Sequence, residues 1–197
     1  MNTIERTWLT MKHRWKFARL GKGCKFPIPQ LTIQGHVEMG DHCRMRNDVT
    51  LRTHGNGKIV FGTRSGLSWG CTAVAHELIQ IGNYTAIAEF SYLCDTMPVL
   101  KDNEDGVSEV TYVSKPIHIG NDVFVGSGCF IGPGVTIGDG AAIGPFSVVT
   151  RDVAPLEIWN GVPARRMSHR TDGVTEAQLQ EYRDLVNKQG IQGDRYQ

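Results

Sequence analysis

At 197 residues the chain is long enough for one domain with its own core, and a formal net charge of +1 gives no global pull toward nucleic acid. Five cysteines at scattered positions (Cys24, Cys43, Cys71, Cys94, Cys129), with no CxxC pair, fit reduced and mostly buried thiols in a cytoplasmic protein. The N-terminal residues lack the apolar run of a secretion signal, and no stretch reaches the roughly 18 apolar residues of a membrane-spanning helix.

The chain divides into 1–30, 31–167 and 168–197. Residues 3–20 have Ile4, Trp8, Met11 and Trp15 at helical spacing and Lys12, Arg14, Lys16 and Arg19 among them, which predicts a basic amphipathic helix ending at Gly21. Such a helix can cap an open sheet end, and it also suits weak contact with a membrane surface. A proline-bearing lead-in follows, then an irregular run of inward aliphatics from Leu31 through Leu93. In that run T-H-G-N-G-K at 53–58 predicts a turn insertion, and a two-residue slip in A-V-A-H-E-L predicts a bulged corner at His76 and Glu77. Residues 95–116 break the pattern and predict a long functional loop. Near the C-terminus, Thr175 as N-cap, Gln178 at N3 and a Val174–Leu179 staple predict a second helix with Leu179, Tyr182 and Val186 on its apolar face.

Between Ile117 and Val149 the pattern becomes strict. Ile119, Val125, Ile131, Ile137, Ile143 and Val149 recur every six residues, and Gly120, Gly126, Gly132, Gly138 and Gly144 follow the first five. A period of six matches neither the helical period of about 3.6 nor the strand period of about 2. It fits a chain that turns a corner every six residues and closes a three-sided coil of 18, with Ile119 stacked under Ile137 and Val125 under Ile143. The glycine at each corner is expected to supply the backbone freedom of the turn.

These repeats, with the closing segment T-R-D-V-A-P-L-E-I-W-N-G-V-P-A-R-R, resemble the hexapeptide-repeat acyltransferases, in the branch of maltose, galactoside and polysaccharide O-acetyltransferases. The resemblance implies an all-β fold, a left-handed parallel β-helix of 18-residue coils, here with short N- and C-terminal α-helices. It implies a homotrimer, acetyl-coenzyme A as co-substrate, a sugar or nucleotide-sugar acceptor, and a loop that projects toward a neighbouring subunit. The family's general base is a His in a T-H-P-like segment at the start of that loop. Here the segment is Thr96-Met97-Pro98, and Met97 cannot accept a proton.

Two other histidines could serve. His76 lies 18 residues before Cys94, so a regular coil would stack it beside the loop, with Asp95 orienting its ring; its alternative is an ordinary surface-turn residue. His118 alternates with inward Ile117 and Ile119 and should point outward, where it could instead be a solvated or subunit-contact residue. For the coenzyme, the resemblance implies Gly126, Gly144 and Ser147 at the backbone positions that hold the pantetheine. It puts Phe124 as an aromatic wall, Thr150 and Arg151 near the nucleotide, and Arg165 and Arg166 toward the phosphates. Their alternatives are unliganded corners and a solvated terminus. A zinc-dependent carbonic anhydrase of similar fold needs two His ligands five apart, and His118 has Val123 at that spacing. No metal site is predicted. A non-catalytic β-helix subunit is the competing reading.

Overall fold

The structure, a computed structural model, describes residues 16–26, 30–101, 109–173, 175, 177 and 180. The chain winds through three parallel sheets, which form the faces of a β-solenoid. The first face carries Arg19–Leu20, His36–Met39, Lys58–Phe61, Leu78–Ile81, Ile117–Ile119 and Thr136–Ile137. The second carries Arg44–Met45, Gly66–Leu67, Ala86–Ile87, Phe124–Val125, Ala142–Ile143, Glu157–Asn160 and Arg165–His169. The third carries Thr32–Gln34, Thr50–Thr53, Thr72–Ala75, Tyr92–Cys94, Phe130–Ile131 and Val148–Val149. Ile119 pairs with Ile137 and Val125 with Ile143, as the hexad phase predicts. The inward residues of every coil fill one continuous core, from Phe17 to Ala164.

The 18-residue coil holds where Thr32 pairs with Thr50 and where Phe130 pairs with Val148. Between them the coils lengthen. Thr50 pairs with Thr72, Thr72 with Tyr92, and Tyr92 with Phe130, which makes the steps 22, 20 and 38 residues. Every added residue falls at the corner from the third face to the first. First comes the turn after Thr53, then His76–Glu77, then an antiparallel hairpin of Thr96–Lys101 with Glu109–Ser114. The other two corners keep their length, so the faces stay in register while one edge of the solenoid grows outward.

The repeat glycines meet a demand other than the one expected of them. Positive φ falls two residues later in the repeat, at Asp122, Gly128, Gly134, Gly140 and Phe146. Glycines 120, 126, 132, 138 and 144 do not have it. Four of them are excluded from carrying a side chain by the next coil. A Cβ on Gly126 would lie 2.6 Å from the main-chain nitrogen of Pro145 and 2.9 Å from the carbonyl carbon of Gly144.

The solenoid begins earlier than Leu31. Arg19–Leu20, expected to end a helix, is a strand paired with Glu38–Met39. The preceding part of that predicted helix, residues 3–15, lies outside the described residues, as does most of the C-terminal one. No described helix is long and apolar enough to cross a membrane. All five cysteines are unpaired and buried. The last described strand, Arg165–His169, runs antiparallel to Glu157–Asn160, with a register shift between Ile158 and Trp159.

Candidate functional site

A cleft of about 300 Å³ opens where the hairpin leaves the third face, lined by Val74, His76, Tyr92, Cys94, Thr96, Pro98 and Tyr112. It combines an apolar floor, two phenols and one imidazole, the mix typical of a small-molecule site. Partial burial, with Cys94 beside it, pushes the Tyr92 phenol up to about 12, so it stays protonated and can donate at neutral pH. The Cys94 thiol donates to the Thr96 carbonyl at 3.2 Å.

His76 is exposed on the bulged corner that the sequence predicts. Its level differs from the prediction, because the coil here is 20 residues long and Val74, not His76, lies opposite Cys94. Asp95 also differs. Its carboxylate is fully buried and accepts the main-chain N–H groups of His76 at 2.8 Å, Glu77 at 2.7 Å and Leu78 at 2.9 Å, with the Thr96 hydroxyl at 3.0 Å. A carboxylate is the only side chain at this point that can satisfy so many donors at once, and it has no lone pair directed at the ring. Asp95 therefore holds the backbone of His76, while the His76 ring stacks on His54 with centroids 4.6 Å apart and planes 22° from parallel. His118 points outward on the first face between Gln80 and Thr136, as the alternation predicts. Met97 stands on the hairpin opposite Val113 and is 49% exposed.

The residues expected around the coenzyme share the late coils but divide between two edges. Phe124 rises from the second face between the small Ala86 and Ala142, an aromatic wall on a flat floor. Gly126 and Gly144 sit at the corner from the second face to the third. Their N–H groups are bonded to Ile143 and Trp159 of the next coil, so those donors serve the ladder. Ser147 is fully buried, and its hydroxyl faces the Gly144 carbonyl, Asn160 and the Gly161 N–H. Thr150 and Arg151 are exposed at the other edge, below the hairpin's corner. Arg165 and Arg166 lie on the closing strand. Arg166 pairs with Glu157 at 2.8 Å, and Arg165 bonds the Ala164 carbonyl at 2.8 Å. The Trp159 indole N–H above all, then the Ala154 N–H and Arg166, hold Glu157 below its usual range, so the pair is ionised at neutral pH. Among the described residues no three His, Cys, Asp or Glu side chains converge as metal ligands would.

Sequence reasoning missed His54 and Tyr112. The first opens a four-residue insertion whose length hid its stacking partner. The second returns to the cleft only because the hairpin pairs Tyr112 with Pro98.

Residues 116–151 match the model of the bacterial transferase hexapeptide (six repeats). No curated protein matches the chain by sequence. Among solved structures, the fold is similar to AntD, an N-acyltransferase from Bacillus cereus in complex with dTDP and 3-hydroxybutyryl-CoA. The TM-score is 0.75 at 16% identity, covering 92% of this chain and 96% of that one. It is similar to the polySia-specific acetyltransferase NeuO, at TM-score 0.55 and 21% identity, over 86% of this chain and 97% of that one. It is also similar to the hexapeptide-repeat acetyltransferase VCA0836 from Vibrio cholerae, at TM-score 0.57 and 22% identity, over 86% and 81%. Winding, repeat and corner hairpin together define a parallel β-solenoid of the hexapeptide type. The late coils carry the bacterial transferase hexapeptide repeat, and the fold as a whole is similar to that of these solved structures.

Proposed function

We propose that the protein is an acyl-coenzyme A-dependent transferase, built on a left-handed β-helix and active as a homotrimer. It moves an acyl group, acetyl foremost, to a hydroxyl or amino group of a sugar or nucleotide-sugar. The observation that carries this reading is the His76 cleft, set at the corner hairpin at the base of the strict hexad coils. The neighbours' names support the chemistry: they include an N-acyltransferase solved with a thymidine nucleotide and an acyl-coenzyme A, and an acetyltransferase specific for polySia.

In the proposed reaction His76 takes the proton from the acceptor's hydroxyl or amine as that atom attacks the thioester carbonyl. The tetrahedral adduct collapses, the carbon–sulfur bond breaks, and the imidazolium returns its proton to the leaving thiolate. The protonated Tyr92 phenol can donate to the acceptor. Phe124, Gly126, Gly144 and Ser147 would shape the channel for the coenzyme's arm, by packing surface more than by hydrogen bonds. Thr150, Arg151, Arg165 and Arg166 would face its nucleotide and phosphates, where guanidinium forks suit phosphate oxygens.

Acetyl-coenzyme A is offered with a panel of sugars and nucleotide-sugars, and thiol release is followed. His76→Ala should slow turnover by on the order of 10² to 10⁴, the usual share of a general base, while coenzyme A binding is retained. Full activity in His76→Ala with loss in His118→Ala would move the base to the first face. A second reading, a binding subunit without catalysis, is favoured by Met97 in the base position. Tight coenzyme A binding with no turnover on any acceptor would establish it.

A further inference from the structure

We propose that His54 is a positioning residue: it holds the plane of the His76 ring by stacking and presents that ring to the cleft. The inference rests on the reading of His76 as the base. Three observations carry it. Asp95 is committed to main-chain donors and fixes where the His76 backbone lies, not how its ring turns. Among the described residues the His76 ring nitrogens have no hydrogen-bond partner, so no polar contact sets the rotamer. Among the described residues the aromatic contact of the His76 ring is with the His54 ring, parallel within 22° and 4.6 Å away.

The partner is itself anchored. The His54 N–H donates to the Ala75 carbonyl at 2.9 Å, directly before His76, so the two α-carbons are tied together across the coils. The His54 carbonyl accepts the Gly57 N–H at 2.9 Å, which closes the four-residue turn that carries the ring. An exposed imidazole without such a neighbour samples several rotamers, and a base that must meet a proton within hydrogen-bond reach loses rate with each. Stacking restricts that freedom and leaves the ring nitrogens open toward the acceptor. The insertions at 54–57 and 76–77 thus act as a pair, one supplying the base and the other the surface beneath it.

The test compares His54→Ala, His54→Phe and His36→Ala in the full-length protein, each first checked for an unchanged melting profile. His36 serves as the control because its ring bonds Glu38 at 2.8 Å, away from the cleft. His54→Ala should lower kcat by on the order of 10-fold or more with KM for acetyl-coenzyme A unchanged, since misplacing a reacting group costs rate more than binding. His54→Phe should recover most of it, because a flat ring suffices, and His36→Ala should match the parent. Full kcat in His54→Ala, or no recovery in His54→Phe, overturns the proposal. A second readout needs no turnover. The carbon-bound ring protons of His76 should lose their ring-current shift in the NMR spectrum of His54→Ala and keep one in His54→Phe. If His76→Ala is fully active, the base assignment fails. If the His76 shifts ignore His54, the stack itself fails, whatever the activity.

Discussion

Adding one methyl group separates the glycines of the repeat by what each must avoid. Gly126→Ala forces a Cβ against the main chain of the next coil at 2.6 Å, and backbone in a parallel ladder cannot yield. Gly132→Ala meets a Phe130 ring carbon at 3.3 Å and the Val149 carbonyl at 3.4 Å, contacts a small shift relieves. Gly126→Ala should therefore cost about 1–3 kcal/mol in denaturant unfolding and Gly132→Ala less than about 1 kcal/mol. Equal costs would mean that coil spacing is not what selects glycine here. At this scale the hexad phase was fully legible, because a buried aliphatic every sixth residue has one geometric solution. The reason for each glycine was not. The letter G is the same whether the position needs positive φ or needs no side chain, and only the stacked coil tells them apart. The αL position that does demand special backbone is filled by Asp122 and Phe146 as well as by glycines, so it left no mark in composition.

At the scale of the element, Asp95 is the hinge between solenoid and hairpin. Its buried carboxylate collects three N–H groups of the corner in the coil before, and its own main chain bonds Val74 of that coil and Lys115 at the hairpin's return. Asp95→Ala strands three partly buried main-chain donors, which should lower stability by about 3 kcal/mol, and the melting temperature by roughly 6–12 °C for a chain of this size. Asp95→Asn keeps one acceptor oxygen and should fall between. A melting temperature unchanged in Asp95→Ala would show that water replaces the carboxylate. The bulge at His76–Glu77 and the break at residue 95 were visible as slips of phase. The role of Asp95 was not, because sequence suggested a His–Asp pair by proximity, whereas the acceptors of a corner are counted in main-chain N–H groups. The hairpin's pairing was equally hidden, since its two strands flank residues whose pattern is polar and aperiodic.

For the whole molecule, the proposed trimer and the solenoid's ends are read by the same measurement. Light scattering of the full chain should give three times the 21.8 kDa protomer mass, independent of dilution through the micromolar range. A monomer mass would remove the trimer. The stacking direction is the more demanding question. Parallel coils in register present the same row of donors and acceptors at each level, and such a row can template another chain. The sequence shows where regular repeats stop, but not how the last row is covered.

On the second face that cover is the strand Arg165–His169. It runs against the direction of every coil, carries a register shift beside Ile158, and bears two arginines where a further coil would have to settle. It is a stopper: reversed polarity, a kink and charge each make the exposed row a poor template for a second molecule. Removing residues 165–197 should uncover Glu157–Asn160 as a plain parallel edge. Head-to-tail contacts between solenoids do not close on themselves, so the shortened protein should grow into filaments as its concentration rises. Electron microscopy and scattering across a dilution series would show it. A truncated protein that keeps one discrete mass at every concentration would mean that the rows are silent for another reason.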